Sequence, residues 1–160
     1  MEPSLIMLAE IKVIGVELRT SYAGEGNPAT AQIGGLWQRF LVDNLIEKIP
    51  NRKEAGVILG VYTNYESDYT GAYSLVLSAE VASLDSVPEG FVGLTIPAAR
   101  YLVFPARGPI PDAIIETWQK IWSYFTSFSE YQRAYTVDFE RHHWNAETQQ
   151  PEVDIYVAVK

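Results

Sequence analysis

One succession of hydrophobic periods occurs twice along the chain, and few architectures accommodate it. The stretch "IKVIGVELRT" (11–20) is rich in β-branched residues and reads as a strand. The polar loop "SYAGEGNP" follows, in which Asn27 can cap a helix with Pro28 at its first position. Ile33, Leu36, Trp37, Phe40 and Leu41 then recur at helical spacing, which predicts a helix to about Lys48, ended by Pro50 and Asn51. "GVILGVYTNY" (56–65) and "AYSLVLSAEVAS" (72–83) read as strands joined by a polar turn around Ser67, Asp68 and Gly71.

The second half repeats that order. "RYLVFPA" (100–106) is a strand, and "RGPIPD" leads into a helix with Ile114, Ile115, Trp118, Ile121, Trp122 and Phe125 on one broad apolar face. "RAYTVDFER" (133–141) and "EVDIYVAVK" (152–160) are strands, joined by a loop that holds "HHWNAETQQP". Trp37-Gln38-Arg39 of the first helix is echoed by Trp118-Gln119-Lys120 of the second. The economical reading is an internal duplication. It predicts an α+β fold with two β-α-β-β halves, about 8–84 and 92–160, in one antiparallel-sheet domain over 1–160 with two long helices. Residues 84–98 would be the connector. Neither half has enough apolar surface to stand comfortably alone.

Composition narrows the function classes. The chain carries a formal net charge of −8 and no run of Lys or Arg, so direct nucleic-acid binding is not expected and a charged partner would be a cation. There is no cysteine, which excludes disulfides, thiolate metal sites and cysteine nucleophiles. No signal segment or bilayer-length apolar run is visible, so the expected setting is cytoplasmic, with no membrane partner. "AGEGNPAT" lacks the Lys-Ser/Thr of a phosphate loop, and no Gly-x-Ser-x-Gly elbow occurs. No cofactor is implied. The β-α-β-β pattern begins near residue 10, so no attached DNA-binding segment is expected.

The stretch "VDFERHHW" (137–144) concentrates the ionisable chemistry. Strand alternation puts Tyr135, Val137 and Phe139 on one face and Thr136, Asp138 and Glu140 on the other. The residues alone leave open whether the second face meets solvent or a pocket. His142 and His143 are the only histidines, and adjacent strand positions point to opposite faces. With no HExxH pattern, they read as loop histidines at a strand end and not as metal ligands. A mixed site with Glu140 and Glu147 is the weaker alternative.

At this point the residues resemble a known family. Pro88, Gly90, Ile96-Pro97-Ala98, Tyr101, Val103-Phe104 and Gly108-Pro109 match the linker of gyrase-inhibitor-like proteins, which include the effector-binding domains of AraC- and MerR-type multidrug regulators. "DFERHH", "EVDIYVAV" and "IGGLWQRF" suit the family's later strands and first helix. His142 stands where Tyr is usual, Ala99 where Gly is common and Ala158 where Pro is common.

The resemblance implies a small-molecule cleft between the halves and a buried glutamate that meets aromatic cations; that glutamate falls on Glu140. A carboxylate in a low-dielectric pocket needs a partner, and a lipophilic cation brings charge and apolar surface together. Aromatic walls add cation–π attraction. For the lining we expect Trp37, Trp118, Tyr62, Tyr101 and Tyr156, with Trp122 in the core or on a dimer surface. A protonated His142 would oppose a cationic ligand. The expected function is a stand-alone module, monomer or homodimer, that captures small cationic aromatic compounds. The alternative implied by the family is a hydrolase of electrophilic cyclopropane compounds with Glu140 as general base.

Overall fold

The structure is a computed structural model that describes residues 3–68, 70–127 and 130–160. Eight strands form one antiparallel sheet: β1 (Ser4–Leu8), β2 (Ile11–Ser21), β3 (Ile58–Thr63), β4 (Ala72–Glu80), β5 (Val92–Ile96), β6 (Ala99–Ala106), β7 (Val137–Asn145) and β8 (Gln150–Val159). Their order is β1-β6-β8-β7-β3-β4-β2-β5. Three helices accompany them: α1 (Tyr22–Glu25), α2 (Ile33–Val42) and α3 (Asp112–Ser127). Among the described residues, no helix is long and apolar enough to cross a membrane.

The sheet curls, and its core shows why. Val13, Leu59, Val61, Val76, Ile96, Tyr101, Phe139 and Ala158 pack in one cluster, with Ile6 and Leu8 against it, so every strand contributes. A flat sheet of this size would hold its edges about 34 Å apart at ~4.8 Å per strand. One face therefore closes on itself. The other face carries the helices. Leu36 and Phe40 of α2 pack on Ile14, Val16, Leu75 and Leu77, while Ile121 of α3 packs among Leu102, Phe104, Val153 and Ile155. The central strands β3 and β7 pair between these two helical layers, with Gly60 opposite Glu140 and Tyr62 opposite Asp138.

The expected strands are present, and two more flank them. β1 pairs with β6 and β5 with β2, so the connector holds a strand and the N-terminal segment holds another. The first helix differs more. Asn27 does accept a hydrogen bond from the Ala29 amide, but this closes a local turn. The helix starts at Ile33, where the Glu25 carboxylate accepts from the Gln32 and Ile33 amides at 3.0–3.1 Å. It stops at Val42, because Asn44 takes a left-handed conformation (φ 51°) before a short 3₁₀ turn at Leu45–Lys48. Among the described residues, only α3 is a long helix.

Glu25 thus supplies from α1 the cap that Gln32, at the N-cap of α2, does not make with its own side chain. Glu25→Ala is expected to lower stability by about 1 kcal/mol, read from urea unfolding. An unchanged midpoint would show that water caps α2 equally well.

Candidate functional site

The faces of β3 and β7 decide what meets the helices. Leu59, Val61, Val137 and Phe139 turn into the closed face of the sheet. Alternation then sends Gly60, Tyr62, Asp138 and Glu140 to the helical side. Asp138 and Glu140 are buried there, at 0% and 3% exposure. That settles the choice between solvent and interior, since neither carboxylate could stay charged there without partners.

The partners are specific. The Tyr62 hydroxyl and the Trp118 indole Nε1 both donate to Glu140 Oε2, at 2.9 and 2.7 Å. His142 Nε2 lies 2.9 Å from Oε1. Asp138 takes Arg133 Nη2 at 2.6 Å and the Tyr65 hydroxyl at 2.5 Å on Oδ2, and the Ala158 amide at 2.8 Å on Oδ1. Burial first, then the Glu140 charge, pushes the Tyr62 hydroxyl well above its ordinary range. Burial and then Asp138 do the same to Tyr65. Tyr73 is pushed up to about 12, by burial and then by Glu25 and Glu140. All three phenols are therefore neutral at physiological pH, and those of Tyr62 and Tyr65 act as donors to the carboxylates. Burial works against the Arg133 charge, but Asp138, Tyr65 and Tyr135 together more than offset this and hold the guanidinium above its usual range.

In front of these groups lies a cavity of about 630 Å³. Tyr62, Tyr65 and Tyr73 contribute from the sheet side, Trp118 and Trp122 from α3, and Tyr22 from α1. Helix α3 can serve both core and cavity because it presents two stripes. Ile114, Ile121 and Phe125 pack against the sheet, while Ile115, Trp118, Gln119 and Trp122 follow i, i+3, i+4, i+7 along the cavity. The rings are packed edge to face: Tyr62 on Trp118 at 5.5 Å, Tyr62 on Tyr73 at 5.7 Å, and Tyr22 on Trp122 at 5.4 Å. Three carboxylates, Glu25, Asp138 and Glu140, line the cavity or bond to its lining, against one guanidinium, so the local field is net negative.

The structure brings Glu140, Tyr62 and Trp118 together. Glu140 lies one layer behind the cavity surface, covered by the two rings that bond to it. Trp37 is on α2 and meets His142, with ring centroids 4.7 Å apart, on the other side of the carboxylate. Tyr101 and Tyr156 are not brought to this cavity. They lie on the closed face of the sheet, where Tyr156 stacks on Phe139 at 4.5 Å and Tyr101 meets Phe139 edge-on at 5.5 Å. Tyr156 borders a second, smaller hollow of about 150 Å³ there. Trp122, expected in the core or on a dimer surface, instead lines the cavity beside Tyr22.

The histidines are not in a loop, because β7 runs on to Asn145. They do point to different partners: His143 Nε2 sits 3.3 Å from Asp154. Sequence reasoning missed Tyr65, Tyr73, Tyr22 and the Arg133–Asp138 pair. The one available signal was an Arg five residues before an Asp that alternates with apolar residues at the start of β7.

Comparison with known proteins agrees with this architecture. The chain is 31% identical over 148 residues to YobU of Bacillus subtilis (strain 168), a protein described as a candidate transcriptional regulator, covering 91% of this chain and 90% of YobU. An integron cassette protein from the mobile metagenome of Vibrio cholerae superposes with a TM-score of 0.82 at 33% identity, covering 99% of this chain and 96% of that one. SAV2435, solved bound to tetraphenylphosphonium, superposes with a TM-score of 0.78 at 22% identity, covering 100% and 94%. The model of the Cass2 family of integron-associated effector-binding proteins matches residues 4–159, and the chain belongs to that family, within the gyrase-inhibitor-like effector-binding fold.

Proposed function

We propose that this protein captures small amphipathic cations with aromatic groups in the cavity in front of Glu140. One observation carries the reading: two rings that line the cavity, Tyr62 and Trp118, donate to the same oxygen of a buried carboxylate. Each hydrogen bond draws proton charge toward Glu140 and leaves its ring more electron-rich. The charge of Glu140 thus reaches the cavity both through space and through the faces of Tyr62 and Trp118. A cation placed over those faces gains roughly 0.5–2 kcal/mol per good contact. Flat aromatic walls accept varied ligands because they impose few directional bonds. Tetraphenylphosphonium, the ligand of SAV2435, is a cation of this class.

Anchoring suits the geometry better than general-base catalysis. Both oxygens of Glu140 already face donors or a histidine, and two rings separate them from the cavity. We also read residues 1–160 as one binding unit of two pseudo-repeats, about 8–84 and 92–160. The matching strand orders β3-β4-β2 and β7-β8-β6 support this, since each half places its first strand beside its last.

Calorimetric titration with tetraphenylphosphonium and tetraphenylborate tests the reading, because the two ions share a shape and differ in sign. The phosphonium is expected to bind at least about tenfold more tightly. Equal affinities would reduce the cavity to an apolar hollow without charge selection.

A further inference from the structure

The cavity has one polar feature that a purely cationic, purely apolar ligand would leave unused. Arg133 lines it, yet the Arg133 side chain is only 3% exposed. Its guanidinium packs beside aromatic rings, and its three nitrogens are treated differently. Its central carbon Cζ lies 4.4 Å from the centroid of the Tyr135 ring and 5.9 Å from that of Trp118. Nη2 is bonded to Asp138. The N–H groups on Nε and Nη1 are buried and have no hydrogen-bond partner among the described residues. Orphaned buried donors are rare in folded proteins because each forfeits its hydration. A cationic donor is costlier still to leave unmet. Asp138 neutralises the guanidinium charge but cannot reach these edges as well, since its other oxygen is taken by the Ala158 amide.

We propose that Arg133 is a specificity-determining residue of this cavity, and that the preferred ligands are aromatic cations bearing a neutral hydrogen-bond acceptor such as a ketone or amide carbonyl. The inference rests on the binding reading above and sharpens it. Glu140 selects for positive charge through Tyr62 and Trp118, and Arg133 selects for an oxygen elsewhere on the same molecule. A neutral acceptor fits better than a carboxylate, because Glu25, Asp138 and Glu140 already make the surroundings net negative. A ligand that carries the acceptor gains hydrogen bonds that these donors lack in the empty cavity, and the analogue without it gains none.

The test uses two soluble ligands that differ at one group: (4-benzoylbenzyl)trimethylammonium, with a bridging carbonyl, and (4-benzylbenzyl)trimethylammonium, with a methylene in its place. Calorimetry on the intact chain is expected to show the ketone binding about tenfold more tightly. Arg133→Lys keeps a cation beside Asp138 but removes the planar fork; it should bring the preference for the ketone below about twofold. Equal wild-type affinities for the two ligands overturn the role of Arg133 while the binding reading stands. A preference that survives unchanged in Arg133→Lys overturns it also. Failure of both ligands to bind wild-type protein overturns the binding reading itself. The wild-type comparison needs no variant, so it decides the matter even if Arg133→Lys does not fold.

Discussion

Asp138→Ala is expected to cost about 3–5 kcal/mol of folding stability. Asp138 has no solvent exposure, and its partner Arg133 is almost as deeply buried. Removing the carboxylate strands a guanidinium in the interior with all of its edges unmet. It also orphans the Tyr65 hydroxyl and the Ala158 amide, both of which donate to Asp138. The loss is dominated by that uncompensated charge and not by the intrinsic worth of the pair. For a domain of this size the drop in Tm should be on the order of 10 °C. The double change Arg133→Leu with Asp138→Leu removes both charges together and should recover much of the loss. A single-variant cost below about 1 kcal/mol would mean that water reaches Arg133, contrary to its burial. The pair also has a place in function, because Asp138 holds Tyr65 and Arg133, two groups of the cavity wall, to the centre of the sheet.

The strands that carry this centre were legible because their composition and their period agree. In β7, residues Val137 to Glu140 alternate apolar with acidic, and the structure keeps that alternation; only the identity of the second face was open. The edge strands were hidden by punctuation. β5 lies between Gly90 and Pro97 and contains Gly93, so turn signals outweigh its three apolar residues, Val92, Leu94 and Ile96. β1 is as short, and it gains its structure from pairing with β6. The start of α2 was misplaced because Asn27-Pro28 is a sound capping signal locally. What decides the start is a contact eight residues away, from Glu25 to Ile33, which no short-range rule contains.

The site divides along the same line. Glu140 and Trp118 belong to matched motifs and regular periods. Tyr65 and Tyr73 flank a turn, and Tyr22 sits in a single helical turn, so their convergence on one cavity exists only after the sheet has formed. Tyr101 and Tyr156 were aromatic strand residues like Tyr62, but register places them one step out of phase with it. A one-residue difference in phase moves a side chain to the opposite face of the sheet.

Glu140→Gln is expected to weaken tetraphenylphosphonium binding roughly 10- to 100-fold, about 1.5–3 kcal/mol, and not to weaken tetraphenylborate. Glutamine is the informative replacement because the donors are arranged for it. Tyr62 and Trp118 converge on Oε2 alone, so an amide oxygen in that place accepts both bonds. The amide nitrogen then faces His142 Nε2, which can accept when its proton is on Nδ1. Shape and hydrogen bonding are retained while the charge is removed, so stability should change little and the phosphonium should lose its electrostatic attraction. The borate arm separates that effect from damage to the cavity. If both ions weaken together, the variant has deformed the wall formed by Tyr62 and Trp118. If neither changes, the negative charge behind those rings does not reach the ligand, and cation selection must come from Glu25, the carboxylate that lines the cavity directly. A parallel Glu25→Gln variant measures that contribution, because the oxygen of the new side-chain amide can still accept from the backbone amides of Gln32 and Ile33 and so keeps α2 capped.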